Sequence, residues 1–166
     1  PNSDIAIVSD CLIADNVLTA EMIRVDNDGN NPFAYYTTVD GCTIVNNSNQ
    51  GAPVIFAGHP FALTRSIVDE SGIDTLHSSD LDHRIASYVL ATDIFTLPDG
   101  AGLVEGQPTY VDAAQKDYHL QPTSLGVDFA PKNGGEDLDG KPRDIDLSEV
   151  PNTFGPRDIG AYELQY

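Results

Sequence analysis

Basic residues are scarce: 8 lysines and arginines stand against 26 aspartates and glutamates in 166 residues, for a formal net charge of −18. Repulsion of that size disfavours binding to nucleic acid or to an anionic membrane surface. It suits a chain that stays dispersed, or one that gathers divalent cations. No run of 18 or more apolar residues occurs, so no membrane-spanning helix is expected. Gly-rich phosphate loops, a Gly-x-Ser-x-Gly elbow and Cys-His zinc spacings are all missing. The chain opens at Pro1-Asn2-Ser3, with neither Met nor a signal peptide and almost inside a repeat, so it is expected to be the C-terminal piece of a longer protein. Only two cysteines are present, Cys11 and Cys42, and they leave the redox compartment open.

What the chain does have is repetition. Val8-Ser9-Asp10-Cys11-Leu12-Ile13-Ala14-Asp15-Asn16 returns at 39–47 as Val-Asp-Gly-Cys-Thr-Ile-Val-Asn-Asn. Degraded copies start at Leu63 and Leu90. Placing Cys11, Cys42, Arg65 and Thr92 in one column puts Ile13, Ile44, Ile67 and Ile94 in another, spaced 31, 23 and 27 residues apart. Repeats of this length belong to solenoids. Each copy is short, β-branched and bounded by turn residues, which predicts a strand whose Ile faces inward and whose mostly polar intervening residue faces out. Parallel copies stacked about 4.8 Å apart build one continuous core. Coils this short leave no room for a helix of useful length. The competing reading is a β-sandwich with four chance-similar strands.

The fold expected is therefore all-β: a single-stranded parallel β-helix of few coils over 1–97, right-handed if the resemblance described below holds, with an irregular C-terminal capping tail over 98–166. Residues 21–25 and 53–57 read as further strands of these coils, and 71–86 as a protruding loop. If Cys11 and Cys42 stack in adjacent coils, a disulfide is within reach, but two buried thiols acting as small apolar groups are the favoured reading. After Leu97 the chain turns rich in Gly, Pro and Asp, and the tail is expected to lie across the open end of the stack, hiding its strand edges.

Three blocks of that tail carry a resemblance. Pro108-Thr109-Tyr110-Val111-Asp112 with 117–128 (DYHLQPTSLGVD), then 137–143 (DLDGKPR), then 158–163 (DIGAYE) resemble the closing segment of bacterial pectate-lyase-like right-handed parallel β-helix proteins. Leu125-Gly126 and Phe129-Ala130 depart from the family's usual residues at a turn. The resemblance implies a secreted or cell-surface protein whose blocks are structural. Arg143, Asp128 and Asp158 would pin the tail through charge-assisted hydrogen bonds, while Tyr118, Leu120, Ile159 and Tyr162 would plug the core.

Candidate chemistry divides into three groups. The acidic turns bearing Asp26 and Asp28, and Asp137, Asp139 and Asp144, begin like calcium loops but lack a closing glutamate; the alternative is an Asx turn bonding its own backbone. The loop with His77, Asp80, Asp82, His83 and Arg84 offers a base, a cation and paired carboxylates of the kind used by a polysaccharide lyase or glycoside hydrolase; the alternative is a solvated polar loop. Tyr35 and Tyr36, with Phe33 and Phe56, offer faces for sugar rings if they point outward. Arg65 falls in the inward column, where a lone charge is costly: either the column bends there, or Arg65 pairs with an aspartate of the tail such as Asp128 or Asp158.

The leading functional expectation is a structural and adhesive module: the closing end of a secreted or surface β-helix that touches polysaccharide or cell-surface glycan, joined to an N-terminal remainder. The alternatives are part of a carbohydrate-active enzyme whose groove lies on coils before Pro1, and a calcium-dependent interaction module.

Overall fold

The computed structural model describes residues 4–25, 35–78 and 83–165, with only the backbone described at Asp4 and Tyr35. One parallel sheet is built from β1 (Asp4–Ser9), β4 (Tyr35–Asp40), β7 (Phe61–Thr64) and β10 (Arg84–Ser87). A second holds β2 (Leu12–Ala14), β5 (Thr43–Val45), β8 (Ile67–Asp69), β11 (Val89–Ala91) and β12 (Leu103–Glu105). A third holds β3 (Ile23–Val25), β6 (Ile55–Ala57) and β9 (Leu76–Ser78). The chain is thus a parallel β-helix. Strands of three residues are too short to stand alone, but here each coil pairs residue over residue with the next and the stack supplies the hydrogen bonds.

One residue in the left-handed region turns each coil from the first sheet into the second: Asp10 (φ 50°), Gly41 (φ 62°), Arg65 (φ 47°) and Tyr88 (φ 56°). The next residue then enters the core. Cys11 and Cys42 stack there, as expected, with both thiols free and Cys42 fully buried. Burial pushes the Cys42 thiol up to about 12, so it behaves as a small apolar group.

The isoleucine column needs correction beyond its first two members. Ile13 pairs with Ile44, but Ile44 pairs with Val68 and Val68 with Ala91. The left-handed corner takes Arg65 out of the inward position, which passes to Ser66. Arg65 pairs instead with Asp40 at 2.5 Å, not with Asp128 or Asp158. Ile67 therefore faces outward, paired with Thr43 and Leu90. Ile94 lies outside any strand, packed with Leu97 and Leu103 against the core.

Two further expectations change. Within 71–86, β9 and the start of β10 continue the coils, and Thr75, Leu76 and Arg84 are buried there. The solenoid also runs past Leu97 into β12. Its short final turn is fastened by Thr75 Oγ1 donating to the Asp93 carbonyl (2.6 Å) and Leu76 N to Thr96 Oγ1 (3.1 Å). Ile94 and Leu97 on this turn close the C-terminal end of the core.

The tail does something else. It runs along the flank, over the outward face of the second sheet. Ile67 and Leu90 are buried beneath Leu120, Val127, Phe129, Leu147 and Ile159, with Val104 packed at the edge. Gly160 N donates to the Arg65 carbonyl (2.8 Å) and Ala161 N to Thr43 Oγ1 (2.9 Å), which seats the chain directly on the sheet. Outward side chains of the first sheet, Ile5, Ile7 and Ile85, remain exposed.

Gly160 sits at φ 93°, and a Cβ there would come within 2.6 Å of Thr43 Oγ1 and 2.9 Å of Ile67 Cδ1. Gly160→Ala is therefore expected to cost roughly 2–4 kcal/mol by urea unfolding, from backbone strain and overpacking together. Gly134→Ala, at φ 66° with nothing within 4 Å, carries the strain alone and should cost about 1 kcal/mol. Equal losses in the two would show that the tail does not seat on the sheet.

Candidate functional site

A cleft of about 580 Å³ opens where the corner after the second sheet meets a tail hairpin. The hairpin is β13 (Tyr110–Asp112), a 3-10 turn (Ala113–Gln115) and β14 (Asp117–Leu120), paired antiparallel. Val45, Asn46, Asp69 and Glu70 form the solenoid wall; Tyr110, Ala114 and Tyr118 form the other. Asp112 caps the 3-10 turn by accepting from Gln115 N, and Lys116 ends it at φ 64°. That geometry points Lys116 and Tyr118 at the first coil. The Tyr118 hydroxyl donates to Asp15 Oδ1 (3.1 Å) and Lys116 Nζ lies 3.3 Å from Asp15 Oδ2. Asn46 Nδ2, donating to Asp15 Oδ1 at 2.6 Å, completes the latch and is the chief reason the Asp15 carboxyl is held below its ordinary range.

Beneath the hairpin runs a ladder of side chains, one rung per coil. Asn16 Nδ2 donates to Asn47 Oδ1 (2.8 Å), and Asn47 Nδ2 donates to Glu70 Oε1 (2.6 Å). Asn47 N also reaches both Glu70 oxygens, at 2.9 and 3.1 Å. Burial raises the Glu70 pKa despite these donors, and the adjacent Asp69 charge adds to the rise. Asp69 is raised by burial as well. The Tyr110 hydroxyl beside it opposes that rise, yet it makes no well-directed hydrogen bond to any described protein atom. Burial, then the Asp69 charge, raises Tyr110 in turn. Tyr110 and Tyr118 meet edge to face with centroids 5.3 Å apart.

The residues singled out for chemistry fall elsewhere. Asp80, Asp82, Asp26 and Asp28 lie outside the described residues, as does the side chain of Tyr35. His83 is exposed just before β10. Arg84 points into the solenoid, 8% exposed, with Nη2 donating to the Ala57 carbonyl (2.9 Å), so the expected catalytic role is withdrawn: a polymer on the surface cannot reach it. Tyr36 lies on the outward face of the first sheet, half-buried. His77 stacks on Phe56 at 5.8 Å, and Arg24 sits 4.6 Å above the same ring, so the third sheet carries an outward aromatic row.

The calcium reading of 137–144 gives way to turns. Asp137 Oδ1 accepts from Asp139 N (3.0 Å) and Lys141 N (2.8 Å), and its Oδ2 from Glu163 N (3.0 Å). Asp139 meets His119 Nε2 at 3.0 Å, while Asp144 accepts from Gly134 N (2.7 Å) and Asn133 N (3.2 Å). These oxygens are spent on separate donors. Among the described residues no group of three or more His, Cys, Asp or Glu is placed to hold a metal ion.

The residues expected to pin the tail lie in and beside its buried seam. The Arg143 side chain is fully buried; its Nη2 reaches Asp10 Oδ1 (2.6 Å) and the carbonyls of Gly160 and Ala161. Asp158 Oδ1 accepts from Asp128 N (2.8 Å) and its Oδ2 from Leu164 N (2.7 Å), while Asp128 Oδ2 accepts from Leu147 N (3.2 Å). Tyr118 and Leu120 are buried, and Tyr162 lies against His119 at 4.0 Å. Sequence reasoning passed over Glu70 and Asp69, read only as the end of a repeat. The signal available was that Asn16 and Asn47 recur at one position and Glu70 replaces them there.

No family model matches the chain, and no curated protein or solved structure matches it.

Burial, then the neighbouring Asp158 charge, pushes Glu163 up to about 8, and burial pushes Asp158 up to about 6. Both groups bind protons more tightly folded than unfolded, so their contribution is complete at low pH and is lost as pH rises. The thermal midpoint should fall between about pH 5 and about pH 8, and Glu163→Gln should flatten the upper half of that fall. A variant with an unchanged slope would remove Glu163 from this role.

Proposed function

We propose that this chain is the closing module of an extracellular, pectate-lyase-like β-helix protein, which braces the end of its solenoid and holds a saccharide in the flank cleft. The observation that carries the reading is an asymmetry between the two ends. At one end Ile94, Leu97 and Leu103 fill the core opening and the final turn is bonded down. At the other, β1, β2 and β3 have no described strand on their outer edge, and Val8, Cys11, Ile13, Met22 and Ile23 are only partly buried. Unpaired edges over an apolar interior favour the addition of another coil. The N-terminal remainder of a longer solenoid would supply it. The three tail blocks that resemble family closing segments support the same reading, and with it a secreted or cell-surface location.

The flank cleft supports the adhesive half. Tyrosine faces beside amide and carboxylate groups are the mix that orients a sugar ring. Glu70 is tied up by Asn47, which leaves no free second carboxylate beside Asp69 and favours binding over hydrolysis.

Two measurements test the two halves. Arg143→Ala takes away the buried donor shared by Asp10 and the Gly160 and Ala161 carbonyls and should cost about 3 kcal/mol or more in unfolding free energy, with aggregation following as the second sheet is uncovered. A stable, monomeric Arg143→Ala would end the bracing reading. On a panel of acidic, neutral and basic glycans the intact chain should bind without turnover. Capture of no glycan would end the adhesive reading, and release of new reducing ends would replace it with a polysaccharide lyase or glycoside hydrolase.

A further inference from the structure

Cations in this chain are few, and most of the acids at the tail seam have one. Asp10 has Arg143 and Arg157, Asp15 has Lys116, Asp40 has Arg65, and Asp144 has Arg157. Asp117 and Asp139 share His119. Asp69 and Glu70 differ. Among the described residues neither forms an ion pair, although both line the same cleft. Beside them the Tyr110 hydroxyl is buried against Asp69, and the Tyr110 and Tyr118 rings stand edge to face at 5.3 Å.

This combination selects for charge type. An anion would meet the Asp69 carboxylate, with Glu70 behind it, and no cation among the lining residues. A calcium ion needs six to eight oxygens, and both Glu70 oxygens already accept from Asn47. A protonated amine needs less: one carboxylate to accept its hydrogens and aromatic surface to lie against. Asn46, Ser71 and Gln107 around the rim can serve neutral hydroxyls. The volume, about 580 Å³, lies in the ordinary range for a small-ligand site. We propose that the cleft binds a saccharide carrying a free, protonated amine, with the ammonium against Asp69 and the tyrosine pair and the hydroxyls on the amide rim. This rests on the adhesive reading and names the ligand class for it.

The probes are glucosamine tetramer and its fully N-acetylated counterpart, compared by calorimetry at about pH 6, where the free amines are charged. The free-amine tetramer is expected to bind at least about tenfold more tightly, and Asp69→Asn to remove that advantage. Asp99→Asn, an exposed acid on the closing turn, should leave it unchanged, which excludes a general effect of net charge. As a readout that needs no variant, titrating the free-amine tetramer into the intact chain should shift the backbone amide signals of Asn46, Ser71 and Ala114. Equal binding of the two tetramers overturns this inference and leaves saccharide adhesion standing. So does an amine preference that Asp69→Asn retains or that Asp99→Asn removes, or a set of shifts lying elsewhere. Failure of every glycan on the wider panel takes adhesion down as well.

Discussion

The second sheet is buried on both faces, and most of the architecture follows from that constraint. Inward, Ile44, Val68 and Ala91 fill the solenoid; outward, Thr43, Ile67 and Leu90 lie under the tail. A three-residue strand gains little from one covered face. Covering both roughly doubles the apolar area removed from water per residue, at about 25 cal/mol per Å². The tail has almost no regular structure, yet it stays in place because it is the second half of this sandwich. Gly160 is one seat of the tail, where only a residue without a side chain lets the backbone reach Arg65 and Thr43.

A covered sheet on the flank then dictates where the site lies. The tail cannot pass straight from β12 onto the outward face without first turning back, and the hairpin of β13 and β14 makes that turn. Its end is tied by Tyr118 and Lys116 to Asp15 of the first coil. The hairpin therefore bridges over the ladder Asn16, Asn47 and Glu70, and the space left under the bridge is the cleft. Each ladder member satisfies a neighbour's backbone or amide, so the corner holds its shape although it is polar and largely buried.

The stacking of coils was legible because two nine-residue copies share Val, Cys, Ile and Asn at fixed positions, and Ile13 does pair with Ile44. The later register was not legible, for a physical reason. Alternation of apolar and polar residues reports which face is inside only when the other face meets water. Beneath the tail both faces are apolar: Ile67 outward looks no different from Val68 inward, so a one-residue slip leaves the pattern intact. The corner residue compounded it, since Arg65 adopts a left-handed conformation that glycine serves at Gly41 and nothing in its side chain announces. The cleft was less legible still. Glu70 and Asp69 come within reach of Tyr110 and Tyr118 only through a contact some 40 residues distant, and Asp15 meets Tyr118 across 103 residues. That Arg143 meets Asp10 of the first coil was not legible, since the two are 133 residues apart.

The sparse positive charge shows the same economy of placement. Of eight lysines and arginines, Arg65, Lys116, Arg143 and Arg157 all sit along the seam between tail and solenoid. Crowding them has a cost: burial and then the nearby Arg143 lower the Arg157 pKa, although Asp144 and Asp10 oppose the shift. Four cations gathered on one seam cannot also neutralise the remaining carboxylates, which stay negative wherever the seam does not reach. On an open surface, water and salt screen such charges within about 8–10 Å. Between the ladder and the hairpin screening is weaker, because the walls are protein. A field that costs nothing elsewhere on the molecule therefore becomes a preference for positive charge inside the cleft. That preference follows from where the arginines are not, as much as from where Asp69 is.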